Sequence, residues 1–266
     1  MTEQRKQYLQ HLRRYTVCIQ IGRVFLFVGA LALWEIAARL SWVDPFIVSS
    51  PTRVAKTIAT LYTSGDLWLH LGTSCLETVI GFVLGTVLGT AIAVCLWWSE
   101  TLSRLLDPYL VVLGALPKTA LGPIFIVWIG AGTASIVAMA LAISVIVTIM
   151  NMHVGFLSTD KQKIRLMRSL GASRSQILRL LVFPANYDTL FNTFRVNVGL
   201  SWVGVIMGEF LVSKAGLGYL IVYGSQVFNM DLVMATVLLL AIAAVVMYQA
   251  ILWLERLFKK QLGVMG

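Results

Sequence analysis

Residues 119–159, TALGPIFIVWIGAGTASIVAMALAISVIVTIMNMHVGFLST, contain no Asp, Glu, Lys or Arg. A helix crosses the hydrocarbon core of a bilayer with about 20 predominantly apolar residues, so this stretch is too long for one crossing. The sequence Gly130-Ala-Gly-Thr133 interrupts it with residues that favour a turn. The stretch therefore predicts two membrane-spanning helices, over residues 107–129 and 134–156.

Apolar segments on both sides of this stretch predict four more spans. They cover residues 21–40, 71–98, 189–211 and 232–254. In the second span, Gly81, Gly85 and Gly89 share one helix face, which lets the backbone of another helix approach closely. We expect an all-α, polytopic membrane protein with about six transmembrane helices. Residues 1–20 are expected to form a cytoplasmic N-terminal segment, and residues 21–266 the transmembrane domain.

The composition supports a membrane protein. Hydrophobic residues make up 58% of the chain and charged residues 12%, with a mean hydropathy of +0.83. Soluble domains have about 45–50% apolar and about 25% charged residues. These values exclude a disordered chain, a disulfide-stapled mini-protein, a collagen-like fibre and an ordinary soluble enzyme. Cys18, Cys75 and Cys95 lie in or beside apolar runs, so we predict neither a disulfide framework nor a metal site.

The net charge of +9 indicates how the chain is oriented in the membrane. With both termini inside, the inner segments contain the basic residues of the ranges 5–23, 161–179 and 256–260 together with Arg104 and Arg195, while Lys118 falls within a span. The outer segments contain only Arg39, Arg53, Lys56 and Lys214. Cytoplasmic loops of membrane proteins carry an excess of Lys and Arg. The pattern therefore predicts cytoplasmic termini and contact with the lipid bilayer, and requires no nucleic acid partner.

Two outer segments have structure of their own. Ser50 and Pro51, followed by Val54, predict a short capped amphipathic helix that starts at the proline. Further along, Gly216-Leu-Gly218 forms a glycine break beside apolar residues, and we expect this segment to dip back toward the membrane.

Residues 161–171 predict an amphipathic helix on the inner side. Ile164, Met167 and Leu170 recur at a spacing of three, with basic residues between them. Gly171 follows, and glycine is the usual residue just beyond the C-terminus of a helix.

Residues 173–184 predict a second helix directly after the turn. Ser173 and Gln176 have the spacing of a capping box. We expect this helix, which carries Ile177, to stop at Pro184.

Three functions suit a basic helix–turn–helix tethered between two spans. It can lie on anionic lipid, bind DNA, or dock a soluble partner. DNA binding is disfavoured because the unit is short and lacks a supporting helix. A rigid two-helix knob with an exposed turn suits the third function, the transmission of force into a membrane bundle.

The segment resembles the EAA loop of ABC-importer permeases, the binding-protein-dependent transport family. That loop reads Glu-Ala-Ala, then Gly, then Ile-x-Leu-Pro. Here the corresponding residues are Arg165-Leu-Met167, Gly171 and Leu181-Val-Phe-Pro184. Other stretches also resemble the family, above all its nitrate, sulfonate and taurine branch. They are Leu33-Trp-Glu35, Ser50-Pro51, Asp107-Pro108, Leu116-Pro-Lys118, Gly208-Glu-Phe210 and Gly216-Leu-Gly218.

One departure from the family concerns charge. The family's Glu is Arg165 here, so an ion pair that the Glu would make cannot form as such. Either an acidic residue of the ATPase compensates, or a second, different permease supplies the standard loop.

The resemblance implies a type I importer permease fold and a set of partners. The chain would be one of two permease subunits, identical or different, that form the passage for a small anionic solute such as nitrate, a sulfonate or taurine. A solute-binding protein would deliver the solute outside a bacterial cytoplasmic membrane, and two ATPase subunits would bind ATP and Mg²⁺. The chain has no G-x-x-x-x-G-K-[ST] motif, so we predict a non-catalytic subunit without a cofactor.

The resemblance implies that residues of the loop 160–186 couple to the ATPase. These are Arg165, Met167, Arg168, Leu170, Gly171, Ala172, Ser173, Arg174, Ile177 and Pro184. Charged and polar residues within spans are candidates for a pore or gate, since burying a charge in lipid costs at least about 2.5 kcal/mol. These are Lys118, Asn151, Asn197, Ser201 and Glu209. Structural alternatives are an ion pair or helix-end hydrogen bond for Glu209 and helix packing for the amides.

Two other functions would leave different marks in the sequence. A stand-alone secondary transporter or channel would transport without an ATPase and show an internal repeat, and no convincing repeat is found. An integral-membrane enzyme would need clustered His, Asp or Cys at membrane depth, whereas His11, His70 and His153 are dispersed.

Overall fold

A computed structural model describes the backbone of residues 3–261, and the side chains of Tyr15 and of residues 17–261. The described part is almost entirely helical and contains no strand. In chain order, the helices are α1 Glu3–Arg39, α2 Pro45–Val48, α3 Pro51–Ser64, α4 Asp66–Trp98, α5 Glu100–Ala115, α6 Gly122–Ile129, α7 Thr133–Leu157, α8 Lys161–Ser169, α9 Arg174–Ile177, α10 Phe183–Ala185, α11 Tyr187–Val212, α12 Leu217–Gln226 and α13 Met230–Gln261.

Five of these helices are long and apolar enough to cross a membrane, and they confirm five predicted spans. They are α1 from Val17 onward, α4, α7, α11 and α13. Residues 3–20, placed in the N-terminal segment, and the first span form one continuous helix.

The third predicted span, over residues 107–129, is wrong as a single helix. The chain bends by 89° between α5 and the pair made of a 3₁₀ turn, Lys118–Leu121, and α6. Pro117 causes the break, because it lacks an N–H and forces Leu116 into an extended conformation, with φ −63° and ψ 135°. Pro108, by contrast, lies inside α5. The spans number six only if the bent pair counts as one.

Helix α7 lies at the centre of the bundle because small residues let its neighbours approach. Gly81, Gly85 and Gly89 of α4 lie against Ala140, Ser144 and Thr148 of α7. A Cβ atom on Gly81 would lie 2.6 Å from the Cβ of Ala140. The predicted close approach along the glycine face of α4 is therefore confirmed.

Helix α11 packs on another side of α7 in the same manner. A Cβ atom on Gly204 would lie 2.5 Å from the Cα of Ala140, and one on Gly208 would lie 3.0 Å from the Cα of Ile136. Backbone, rather than a flexible side chain, is the obstacle at both positions. Helices α4, α7 and α11 thus form one closely packed unit.

The capped helix predicted after Ser50 is confirmed as α3. The Ser50 hydroxyl accepts a hydrogen bond from the Arg53 N–H, and Pro51 occupies the first turn. Asp231, at the start of α13, binds both Ser49 (2.6 Å) and the Arg53 guanidinium (2.8 Å). These contacts fix the start of α3 against the start of α13.

The prediction that the second inner helix stops at Pro184 is wrong. A π turn, Leu178–Val182, follows α9, and the helical path continues through α10 to Ala185. Pro184 lies in the first turn of α10, where its missing N–H and fixed φ are tolerated. Asn186, with φ −112° and ψ 17°, ends the path instead.

Candidate functional site

Helices α8 to α10, residues 161–185, form a two-helix knob at one end of the bundle. The knob turns at Gly171, whose φ of +80° is the left-handed conformation that glycine adopts without strain. The Ala172 N–H donates to the Met167 carbonyl and the Gly171 N–H donates to the Arg168 carbonyl, each at 3.0 Å. This is the Schellman motif, and it confirms the predicted role of Gly171 at the end of the first helix.

The second helix begins with the predicted capping box. The Ser173 hydroxyl accepts from the Gln176 N–H, and the Gln176 side chain accepts from the Ser173 N–H at 2.7 Å. The turn between the helices therefore has its backbone groups bonded on both sides, which makes the knob stiff.

The inner face of the knob packs against the bundle. Met167, Ala172 and Ile177 contact a buried apolar cluster. Its other buried members are Ala93, Met152, Phe156 and Val182. These three candidate coupling residues thus anchor the knob.

The outer face carries the turn residues and the basic residues. Arg165, Arg168 and Ser173 are exposed. Leu170 is 77% exposed, and Leu166 is 60% exposed. The prediction that Leu170 shares the apolar face of this helix with Ile164 and Met167 is therefore wrong. A spacing of three residues drifts around the helix, and Leu170 is already the C-cap.

Two polar contacts attach the knob to the spans. The Arg174 guanidinium donates to the Trp98 carbonyl at 2.6 Å, at the C-terminus of α4, where a cation is favoured. The buried Asn186 amide donates to the Thr159 hydroxyl at 2.9 Å and to the Val182 carbonyl at 2.8 Å. Asn186 was not predicted; a polar residue two positions after Pro184 was the available signal.

A basic cleft of ≈ 400 Å³ lies between the knob and the α4–α5 junction. Its charged lining consists of Lys161, Arg165, Arg168, Arg174 and Glu100. Four cations against one carboxylate give this surface a strongly positive potential.

At the opposite end of the bundle, Glu209 binds the start of α12. Its carboxylate accepts hydrogen bonds of 2.5 Å from the Ser74 hydroxyl and from the Gly218 N–H. Ser74 also accepts from the Leu217 N–H at 2.7 Å. The anionic group thus caps the N-terminus of a helix, which favours negative charge. This is the helix-end hydrogen bond considered as the structural alternative for Glu209.

His70 completes this cluster, because its Nδ1 accepts from the Gly216 N–H at 3.0 Å. We call Glu209, Ser74, His70 and the segment Gly216–Gly218 the carboxylate clamp. Sequence reasoning identified Glu209 and the glycines and missed Ser74 and His70, which lie one helical turn apart on α4.

Glu77, also on α4, is a second buried carboxylate beside Glu209. It is 2% exposed, and among the described residues neither of its oxygens has a hydrogen-bond partner of standard geometry. A charged residue near the end of a span is expected at the surface or in an interface, and the burial of Glu77 departs from that expectation.

The remaining pore candidates lie in different surroundings. Lys118 is half-buried and donates to the Gly114 carbonyl at 2.8 Å, at the C-terminus of α5. Asn151 is half-buried on α7. Asn197 is fully buried and donates to the hydroxyls of Thr148 (2.6 Å) and Thr86 (3.2 Å), so that it joins three helices.

Ser201 is fully buried one turn further along α11 from Asn197. In the described part of the chain, Asn197 and Ser201 are therefore brought together, while Lys118 and Glu209 lie apart from them. No group of three or more His, Cys, Asp or Glu residues that could hold a metal ion occurs among the described residues.

Comparison with known proteins agrees with this architecture. The chain is 30% identical over 241 residues to the putative aliphatic sulfonates transport permease protein SsuC of Escherichia coli, covering 90% of this chain and 91% of the relative. It is 30% identical to the riboflavin transport system permease protein RibX of Chloroflexus aurantiacus, covering 85% of each chain. The fold matches the MetNI methionine ABC transporter in an inward-facing conformation, with a TM-score of 0.62, 18% identity, and coverage of 71% of this chain and 96% of that one.

Residues 81–264 match the family described as the binding-protein-dependent transport system inner membrane component. This match covers more than half of the chain and includes the knob, Glu209 and Gly218, whose N–H Glu209 binds. The chain is therefore a multi-pass membrane protein of the type I fold, and it belongs to this family as a permease subunit of an ABC importer.

Proposed function

We propose that the two-helix knob is the element through which this permease receives force from an ATPase. The observation that carries the proposal is the construction of the knob. Its turn is stiffened by a Schellman motif and a capping box, while Leu166 and Leu170 are exposed beside it. An exposed apolar pair on a rigid support suits a protein partner.

The charge of the knob indicates what the ATPase surface should contain. Arg165, Arg168 and Lys161 line the cleft next to the exposed turn. A complementary surface carries carboxylates, since matched potentials favour association and suppress wrong partners. We therefore propose an acidic ATPase surface opposite Arg165, and two ATPase subunits for two permease subunits, identical or different.

The proposed setting is a bacterial inner membrane with both termini in the cytoplasm. The uneven distribution of Lys and Arg supports this orientation, because the knob end carries most of them. A solute-binding protein outside the membrane would deliver the solute to the opposite end. ATP and Mg²⁺ would bind to the ATPase, and this chain itself would be non-catalytic.

The proposed solute is a small anion of the sulfonate type. SsuC, which is named for aliphatic sulfonates, is 30% identical to this chain. RibX, named for riboflavin, has the same identity, so a screen of solutes should include both classes. Lys118, next to the break in the third span, and the half-buried Asn151 are candidate contacts for an anion. Asn197, Ser201 and the gate candidate Glu209 are fully buried, so they would reach a solute only if the helices around them move apart.

The coupling role is tested with Leu170→Arg in the transporter reconstituted with its ATPase and binding protein. Leu170 is exposed, so the variant is expected to fold and insert normally. ATP-driven uptake is expected to fall by tenfold or more, and each factor of ten corresponds to ~1.4 kcal/mol of lost coupling free energy. Uptake and ATP hydrolysis are measured together. Leu180→Arg is the matched control, since Leu180 is also an exposed leucine of the knob and lies away from the turn. Normal uptake by Leu170→Arg would contradict the proposal.

A further inference from the structure

A cleft of ≈ 410 Å³ lies at the end of the bundle opposite the knob. The ends of α6 and α11 and the start of α7 border it. The polar side chains lining it are Thr73, Glu77, Thr133, Ser213 and Lys214. The cleft belongs neither to the knob nor to the carboxylate clamp, although it lies next to the clamp.

Glu77 is the distinctive residue of this cleft. Its side chain lines the cleft, yet the residue is only 2% exposed. Among the described residues, neither carboxylate oxygen of Glu77 makes a hydrogen bond of standard geometry, and its polar neighbours are the Thr133 hydroxyl and the Glu209 carboxyl group. Buried carboxylates are normally paired or hydrogen-bonded, so this one has an unmet requirement.

Glu209 increases that requirement. Its carboxyl group neighbours that of Glu77, and both of its oxygens are already bound, to Ser74 and to Gly218. Two neighbouring carboxylates in a medium of low polarity repel each other unless a positive charge lies between or beside them. Lys214 lines the same cleft but is exposed, and it forms no ion pair within the described part of the chain.

Oxygen atoms around Glu77 can complete the coordination of a cation. The Thr73 hydroxyl donates to the Leu69 carbonyl at 2.8 Å, which leaves its lone pairs available. Thr133 supplies a second hydroxyl, and the backbone of Gly132 also lines the cleft. The C-terminal end of α11 adds partial negative charge, which the N-terminus of α7 offsets in part.

We propose that this cleft binds a small monovalent cation, Na⁺ or K⁺, with the Glu77 carboxylate as its charged ligand. Hard cations take oxygen ligands of the kinds present here. A single positive charge balances the Glu77 carboxylate. A divalent ion is disfavoured because Lys214 already places a positive charge at the rim of the cleft. The proposal concerns a site separate from ATPase coupling and does not depend on the solute.

The test compares the complete permease complex in lipid nanodiscs in NaCl, KCl and choline chloride at equal ionic strength. Binding to the folded state raises the midpoint of thermal unfolding, by roughly 5–10 °C at about a hundredfold excess over Kd. We expect this rise in NaCl or KCl for the wild type, and none for Glu77→Gln. Glu100→Gln is the control, because Glu100 is an exposed carboxylate and should keep the full rise.

Three outcomes would overturn the proposal. The first is an equal midpoint in all three salts, which would mean that the two carboxyl groups share a proton. The second is a cation-dependent rise that persists in Glu77→Gln. The third is a rise that appears only in Lys214→Gln, which would identify Lys214 as the natural counter-charge.

A second measurement applies if Glu77→Gln does not fold. Isotopically labelled Na⁺ should bind to the wild-type complex and be displaced by unlabelled Na⁺ or K⁺ but not by choline. Lys214→Gln should bind it several-fold more tightly, because a positive charge leaves the rim. Failure of the wild type to retain labelled Na⁺ above the level of empty nanodiscs would refute the site.

Discussion

Ser74 performs two tasks with one hydroxyl group. It donates to Glu209 and accepts from the Leu217 N–H, so it links α4, α11 and the start of α12. All three groups are buried. Because no water replaces a lost bond there, the cost of removing this hydroxyl exceeds the usual value of a hydrogen bond.

We predict that Ser74→Ala lowers the free energy of unfolding by about 1–3 kcal/mol, since the Leu217 N–H and a Glu209 oxygen lose their partner. The measurement is thermal or denaturant unfolding of the purified protein. Ser225→Ala is the control, because that hydroxyl is exposed and bonds only to its own helix. A change below about 0.5 kcal/mol in Ser74→Ala, the range of surface substitutions, would contradict the assigned role.

Single residues with a local rule were predictable from the sequence. Gly171, Ser173 and Ser50 each obey a capping pattern that depends on a few neighbours, and each was predicted correctly. Ser74 has its partner Glu209 far along the chain, and Glu77 is buried by segments equally distant in sequence, so no local pattern marks either residue. The Arg165 position is exposed, and the effect of its charge on coupling stays a prediction.

At the scale of elements, close helix packing depends on glycines whose surroundings differ. Gly204 and Gly199 lie on the same helix, α11. A Cβ atom at Gly204 would meet the backbone of Ala140, whereas nothing lies within 4 Å of one at Gly199. An alanine at Gly199 therefore tests only the helix preference of alanine, whereas an alanine at Gly204 also tests the packing of α11 against α7.

We predict that Gly204→Ala destabilises the protein by about 1–3 kcal/mol, because α7 and α11 must move apart. Gly199→Ala should be neutral or stabilising by up to about 1 kcal/mol, as alanine is the better helix former. Unfolding of both variants in the same detergent checks this. An equal change in the free energy of unfolding for the two variants would show that the close approach of α11 to α7 does not limit the size of the residue at position 204.

Helix existence was more predictable than helix ends. Long apolar segments predicted the five spans, and the glycine face of α4 predicted that the backbone of another helix approaches it closely. The prolines of the third span predict an interruption, but neither the 89° bend at Pro117 nor the passage of the helical path through Pro184 was predicted. Whether a proline ends a helix depends on the backbone before it. That backbone is extended before Pro117 and π-helical before Pro184, and the preference of a single residue type does not determine which of the two forms.

At the scale of the whole molecule, basic residues concentrate at the knob end. This asymmetry makes the orientation testable. We predict that a cysteine at Ser175, on the knob, is protected from a membrane-impermeant maleimide in intact cells, whereas one at Thr63, on α3, reacts.

The experiment uses a background in which Cys18, Cys75 and Cys95 are replaced by serine or alanine. Both engineered positions are exposed, so access from each side of the membrane decides the result. Permeabilised cells should label both cysteines, which controls for reactivity. Labelling of the Ser175 position alone in intact cells would reverse the proposed topology.

Helix α4 touches both ends of the molecule. Its last carbonyl groups receive Arg174 of the knob, and its other half carries Ser74 and Glu77. At 1.5 Å per residue the helix is about 50 Å long, and it contains no proline. We therefore expect a displacement of the knob at Trp98 to travel along α4, together with α7 packed on its glycine face, to Ser74 at the other end of the helix.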